Sequence, residues 1–211
     1  MKRTLLLLLV CLFMPLTIVQ ATNTHVKIKN YNHNKEFRYA VISGAKYKDV
    51  NTEMFKYTKN IYDMNTKLKK QYKNDLKKGL ASKDSPYYSS IKCIKKYNHS
   101  SKVSVFCPYY IYIGTDHGMS YSKSFNFLDG KSISLKKAFK SSRSYEEGKA
   151  YAKRYILKHP NKYPFASNQT TIEGHSFYWT SKGLNVIFDP YEVNAFAYGF
   201  QYVSIPNKYL K

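Results

Sequence analysis

Arginine is nearly missing from this sequence: it stands only at positions 3, 38, 143 and 154, against 31 lysines. Bidentate readout of phosphates and base edges favours the planar guanidinium, and no nucleic-acid-reading motif is present. Nucleic acid is therefore not expected as a partner. Acidic residues are also scarce, 13 Asp and Glu against 35 Lys and Arg, for a net charge of +22. Such a balance favours anionic partners and repels cationic ones within a Debye length of roughly 8–10 Å. The excess of Lys, Asn and Tyr equally fits an AT-rich genome.

The usual carriers of chemistry are missing too. Six histidines are scattered at 25, 33, 99, 117, 159 and 175, with no His-Glu-x-x-His pair and no zinc-type cysteine spacing. There is no Gly-x-Ser-x-Gly elbow and no phosphate-cradling glycine loop. Ser-x-x-Lys occurs at Ser89–Lys92, Ser120–Lys123 and Ser134–Lys137, as chance provides among so many lysines. Glu173-Gly174-His175 falls in a loop and is read as non-catalytic. The expectation is a protein without catalytic residues, metal or cofactor, and thus not an enzyme. Of the 22 tyrosines, most belong to core or sheet surface, and exposed ones can stack on sugar rings.

What is present begins with a leader. Lys2 and Arg3 precede an apolar run, Leu5–Val19, and Val19-Gln20-Ala21 ends it with small residues at cleavage positions. Residues 1–21 read as a secretory signal peptide. A retained anchor fits less well, because Pro15 and Thr17 interrupt a run already short for a bilayer of about 30 Å. A lipoprotein at Cys11 is disfavoured by Val10, where a small residue is wanted. No later segment is apolar enough to span a membrane. Cleavage leaves 33 basic against 13 acidic residues.

Only Cys93 and Cys107 then remain, and two cysteines in an exported chain usually form one disulfide. If Asn98–Lys102 is a five-residue hairpin loop, Tyr97 faces Val103 and Cys93 lies directly opposite Cys107, within bridging distance. Ile91, Cys93, Val103, Val105 and Cys107 would share one face. Free thiols or metal ligands are the rival reading, with only His99 nearby as a partner.

The hydrophobic pattern orders the rest. His25–Ile42 reads as strand, turn, strand. Val50, Met54, Tyr57, Ile61, Met64 and Leu68 recur at spacings of three and four, giving a long amphipathic helix from about Asn51 to Lys78 with Gly79 as its cap. Eight lysines between Lys56 and Lys78 are read as its solvated face. A strand over Tyr121–Phe127, a turn at Asp129-Gly130 and a short helix near Lys136–Phe139 follow. Ser144-Tyr145-Glu146-Glu147 reads as a capping box, Tyr151, Tyr155 and Ile156 as the buried stripe of its helix, and His159-Pro160 as the stop. Ser176–Thr180 and Leu184–Phe188 form a hairpin, and Phe200–Ile205 a last strand. This order predicts a compact α+β fold with a largely antiparallel sheet, one long N-terminal helix and shorter C-terminal helices.

Three segments carry a resemblance. His117-Gly118, Phe125–Phe127, Asp129-Gly130-Lys131 and Leu135 with Phe139 form the first. Gly183–Val193, containing Pro190-Tyr191-Glu192, is the second, and Ala197-Tyr198-Gly199 followed by Ile205-Pro206 and Tyr209-Leu210 is the third. In this order they resemble the domain-of-unknown-function family shared by the extracellular regions of the lysozyme-sensing anti-sigma factor RsiV and the deacetylase PdaC. The resemblance implies a C-terminal domain over 114–211, packed as one unit with an N-terminal region over 22–113. It marks His117, Gly118, Asp129, Gly130, Tyr191, Glu192, Gly199 and Pro206 as signature positions with structural roles. Gly-Thr-Asp precedes His117 where the family more often has Gly-Gly-Ala, and the deacetylase catalytic domain is absent, so that activity does not carry over.

Asp116-His117 could be an acid–base pair, but no nucleophile or metal ligand stands beside it. It is read as a turn in which His117 bonds across and Gly118 supplies a permissive backbone. The function expected is that of an exported, periplasmic or secreted, binding module of the cell envelope, with an envelope glycan or anionic polymer as ligand. A lysozyme-binding or lysozyme-inhibiting protein is the alternative, opposed by charge unless acids cluster on a concave face. An envelope hydrolase would require a perturbed His or Glu in a pocket.

Overall fold

Alternating apolar residues build the first hairpin of the structure, a computed structural model that describes residues 24–211. The leader predicted over 1–21 lies outside the described residues. Strands β1 (Val26–Tyr31) and β2 (Asn34–Ile42) pair antiparallel through the two-residue turn Asn32-His33, both left-handed. Helix α1 (Lys48–Lys77) follows, three residues earlier than its periodicity suggests. Its first turn is tied back by Asn51, whose side chain accepts from the Ile42 N–H and donates to the Ile42 carbonyl, both at 2.8 Å. Val50, Met54, Thr58, Ile61 and Asn65 form its buried face, and none of its residues beyond Asn65 is buried. The predicted positions Met64 and Leu68 are only half-buried, because the helix outruns the sheet it covers.

Beneath α1 runs a three-stranded meander bent across its middle. Strands β3 (Tyr88–Lys92) and β4 (Ile94–His99) are halves of one long strand, as are β5 (Lys102–Phe106) and β6 (Tyr109–Tyr112), and β7 (Met119–Tyr121) and β8 (Ser124–Leu128). One set of halves joins the hairpin in a five-stranded sheet, β1-β2-β3-β6-β7. The other forms a four-stranded sheet, β4-β5-β8-β9, with β9 at Lys131–Ser132. All pairings are antiparallel except β2 with β3, which α1 connects. The predicted continuous strand over Tyr121–Phe127 is thus broken at Ser122-Lys123, where the sheet changes direction.

Cys93 and Cys107 are disulfide-bonded at this bend. The pairing is as predicted, but the loop is not. The turn is the two-residue Ser100-Ser101, with His99 opposite Lys102, and Tyr97 lies opposite Ser104. A bulge around Lys96 absorbs the difference, so Ile94 again faces Phe106 and the cysteines meet. Ile91, Cys93, Val103, Val105 and Cys107 share the core beneath α1.

The C-terminal part has a core of its own. Helices α2 (Leu135–Ala138) and α3 (Ser142–Leu157) accompany a three-stranded antiparallel sheet, β10 (Phe177–Thr180), β11 (Gly183–Phe188) and β12 (Gln201–Pro206). The cap of α3 is Ser141, whose hydroxyl accepts from the Ser144 N–H at 3.1 Å, so the predicted box sits one turn too late. Its buried stripe is Tyr145, Gly148, Ala152 and Ile156, while Tyr151 and Tyr155 are half-buried. Gly183 has φ +148°, and a Cβ there would overlap the Ile205 carbonyl oxygen of β12.

The two parts are joined by hydrogen bonds at the edge of β10. Its Phe177 N–H donates to Ser124 Oγ at 3.0 Å and its Trp179 N–H to Ser104 Oγ at 2.8 Å. Asn126 Nδ2 donates to the Phe177 carbonyl at 2.7 Å, and the Ser104 hydroxyl donates to Asn126 Oδ1 at 2.6 Å. The unpaired amides of an edge strand are thereby satisfied by side chains of the neighbouring sheet.

Candidate functional site

The groove with the most titratable groups follows this junction. One stretch, of about 480 Å3, is bordered by Lys123, Asn126, Lys136, Tyr145 and His175. Glu173–Ser176 belongs also to a neighbouring cleft of about 280 Å3 that adds Ser122, Asp189 and Glu192. The bend at Ser122-Lys123, the loop before β10 and the turn after β11 build it.

Each acid here has a partner. Asp189 Oδ1 accepts the Ser122 N–H at 2.9 Å, and Glu192 Oε2 accepts the Asp189 N–H at 2.5 Å, closing the turn. His175 Nε2 lies 3.3 Å from Glu192 Oε2, and its Nδ1 faces the Glu173 carbonyl at 3.1 Å. Lys149 bridges Glu146 and Glu173. Burial works against charge on His175, but Glu192, the Glu173 carbonyl and Asp189 outweigh it and hold the imidazole above its ordinary range. Burial likewise opposes the Glu192 charge, yet His175 and the Asp189 amide bring its carboxyl below the usual value. Asp189 goes the other way: burial raises it, with Glu192 adding, over the opposing Ser122 and His175. When protonated, His175 donates to the Glu173 carbonyl and to Glu192 and so clamps two segments together.

On the other side of the same turn lies an aromatic ledge. His117 stacks on Phe196 with centroids 4.0 Å apart and planes at 15°, and Tyr191 lies 5.9 Å from His117 and 5.7 Å from Phe196, tilted by 34° and 30°. His117 Nδ1 faces the Gly118 carbonyl at 3.0 Å, so it carries the hydrogen. Nε2 is then the acceptor, and the Tyr191 hydroxyl donates to it at 2.8 Å. Tyr191 is 47% exposed and has φ +73°, a left-handed backbone that a bulky residue adopts only under constraint. Tyr198, 69% exposed, follows within the same segment.

The signature residues divide accordingly. His117, Tyr191 and Glu192 meet in or beside the site, and His117 bonds to a segment 74 residues away as well as to its neighbour. Asp129 and Gly130 form the left-handed β8–β9 turn, Gly199 ends the segment bearing Tyr198, and Pro206 closes β12. Gly118 corrects its expectation, since its φ is not left-handed. It is required because a Cβ would overlap the Ile111 carbonyl and the Tyr110 ring, whose hydroxyl accepts the Gly118 N–H at 2.9 Å. Gly118→Ala is expected to lower stability by about 2 kcal/mol and to loosen His117, measured as a fall in Tm and exchange-broadening of the His117 ring signals. The pairing of His175 with Glu192 was not foreseen. Its only sequence signal is an Asp-x-x-Glu turn after a buried strand.

Among the described residues, no group of three or more His, Cys, Asp or Glu side chains is arranged to hold a metal ion, and no helix is long and apolar enough to cross a membrane. No curated protein matches this chain. A DUF3298 family protein from Bacteroides fragilis has a similar structure, at 16% identity and TM-score 0.55, covering 89% of this chain and 91% of that one. Another from Pseudomonas aeruginosa aligns at 13% identity and TM-score 0.51, covering 89% and 92%. Residues 133–208, which supply most of the groove and all of the ledge except His117, match the family described as "Protein of unknown function (DUF3298)", and the chain as a whole has a fold similar to those two structures.

Proposed function

We propose that this is an exported, non-enzymatic binding protein of the cell envelope, and that the aromatic ledge holds an envelope glycan. The observation that carries the reading is Tyr191, an exposed aromatic ring kept at a strained φ by a turn locked through Glu192 and Asp189. Strain maintained in an exposed residue points to use of its side chain. Tyr191, set beside the His117–Phe196 stack and tilted from it by about 30°, presents an aromatic face of the kind against which the C–H face of a pyranose packs. Export is supported by the leader sequence and by the disulfide. A non-catalytic role is supported by the groove, where the His175 and carboxylate partners all belong to the chain's own turns.

One observation favours the lysozyme-binding alternative. Glu173, Asp189 and Glu192 converge on a concave cleft in a strongly basic chain, which is the acidic clustering that a cationic partner would need. Lys149 and His175 neutralise part of it, so the ledge remains the leading site.

Calorimetric titration of the chain from Thr22 onward separates the two. Soluble glycan-strand oligosaccharides are expected to bind, and Tyr191→Ala to weaken them by about 1 kcal/mol, roughly fivefold, with Tm unchanged. One-to-one binding of animal-type lysozyme, with no response to glycan, would replace the glycan reading by the alternative.

A further inference from the structure

A separate concavity of about 440 Å3 lies on α1, where the helix leaves the sheet, bordered by Asn34, Asn65, Thr66, Lys69, Lys70 and Lys73. Its floor is a set of unused donors. Asn65 is only 6% exposed, and its Oδ1 accepts the Ser89 N–H at 3.0 Å. A backbone N–H can only donate, so that bond fixes the carboxamide and leaves Nδ2 on the groove side, without a partner among the described residues. Asn34 repeats the arrangement: its Oδ1 accepts the Glu36 N–H at 2.9 Å, and its amide nitrogen is left over. Tyr62, also on the wall, accepts from Asn32 Nδ2 at 3.1 Å and keeps its own hydroxyl hydrogen.

The rim is cationic. Lys69, Lys70 and Lys73 stand on adjacent turns, and among the described residues none of them is in an ion pair. The nearby acids are engaged elsewhere, Asp63 by Lys59 at 2.5 Å and Glu36 by Lys92 at 2.9 Å. No carboxylate lines the groove. Donors below and ammonium groups above, with no acidic acceptor, match a tetrahedral oxyanion with several acceptor oxygens.

We propose that this groove binds successive phosphate groups along an extended, non-nucleic-acid polyanionic chain. The lysines continue as Lys69, Lys73 and Lys77, one helical turn apart at about 6 Å, so successive phosphates can follow the row. Donors at the bottom of a concavity suit an isolated chain better than the flat plane of a membrane. The proposal goes beyond the ledge reading and does not depend on it, and Tyr191→Ala leaves it untouched. It also revises the view of these lysines as a merely solvated face.

The test uses the protein produced through export from its full-length sequence, with the Asn65 side-chain amide followed by NMR at constant ionic strength. Inorganic phosphate is expected to shift that signal saturably, beyond any effect of chloride. Linear polyphosphate is expected to bind about tenfold more tightly than phosphate, with Lys69→Gln/Lys73→Gln weakening it at least about tenfold and leaving Tm unchanged. An Asn65 signal indifferent to both probes, or equal affinity in the double variant, overturns the site. Binding to phosphatidylglycerol vesicles without a response to polyphosphate overturns the polymer in favour of a membrane surface.

Discussion

Asn126→Ala is expected to lower the free energy of unfolding by about 3–4 kcal/mol. Asn126 is 4% exposed, and its side chain is the hub of the junction: Oδ1 accepts from Ser104 Oγ, while Nδ2 donates to the Phe177 carbonyl and to Ser124 Oγ. Alanine strands a buried carbonyl of β10 and removes the acceptor that orients Ser104, which in turn receives the Trp179 N–H. Each group left without a partner in the interior costs about 1–3 kcal/mol. Ser104→Ala is expected to have a smaller effect of about 2 kcal/mol, since one acceptor is lost. The double variant is expected to be less damaging than the sum, because the two residues act as one network. Urea unfolding with matched m-values measures all three. A loss below about 1 kcal/mol for Asn126→Ala, or strict additivity, would show that β10 does not depend on this contact.

The same residues show where the sequence was readable and where it was not. Phe125-Asn126-Phe127 and Val103-Ser104-Val105 alternate as strands with one wet face do, and their strand character follows directly. Both faces are in fact covered: the phenylalanines and valines lie in the core under α1, and Asn126 and Ser104 lie under β10. Period-two alternation reports direction and not burial, and polar residues on a covered face look the same as solvated ones. The long helix was legible because its period persists over many turns, and the disulfide because strand register is arithmetic that a compensating bulge restored. The break at Ser122-Lys123 had no local signature, being imposed by the bend of neighbouring strands. At the site, the turn chemistry around Asp189-Pro190 and the left-handed Asp129-Gly130 pair were visible. The meeting of His117 with Tyr191, and of His175 with Glu192, depends on contacts between distant segments that spacing cannot supply. The floor of the α1 groove was hidden for a related reason: Asn65 occupies an apolar-stripe position, and only the Ser89 N–H reveals which way its amide points.

Cys93→Ala/Cys107→Ala is expected to cost about 3–4 kcal/mol. The cross-link closes a segment 14 residues apart in sequence, and a loop of this length constrains the unfolded chain by about 3 kcal/mol. Both residues are fully buried, so loss of the sulfurs adds a smaller packing term. Position makes the bond more than a generic staple. It lies where β3 passes into β4 and β5 into β6, and the Cys107 N–H also donates to the Lys123 carbonyl at the break in the third strand. Without it the meander can flex between its two sheets, so β10 docking should weaken as well, seen as faster hydrogen exchange at the Trp179 amide. Reduction of the wild-type protein in mild denaturant should reproduce the shift, separating the missing bond from the effects of alanine. A double variant within 1 kcal/mol of wild type, together with insensitivity to reductant, would mean that the cysteines remain thiols in the folded protein. The reading of an exported chain would then lose its structural support and rest on the leader sequence alone.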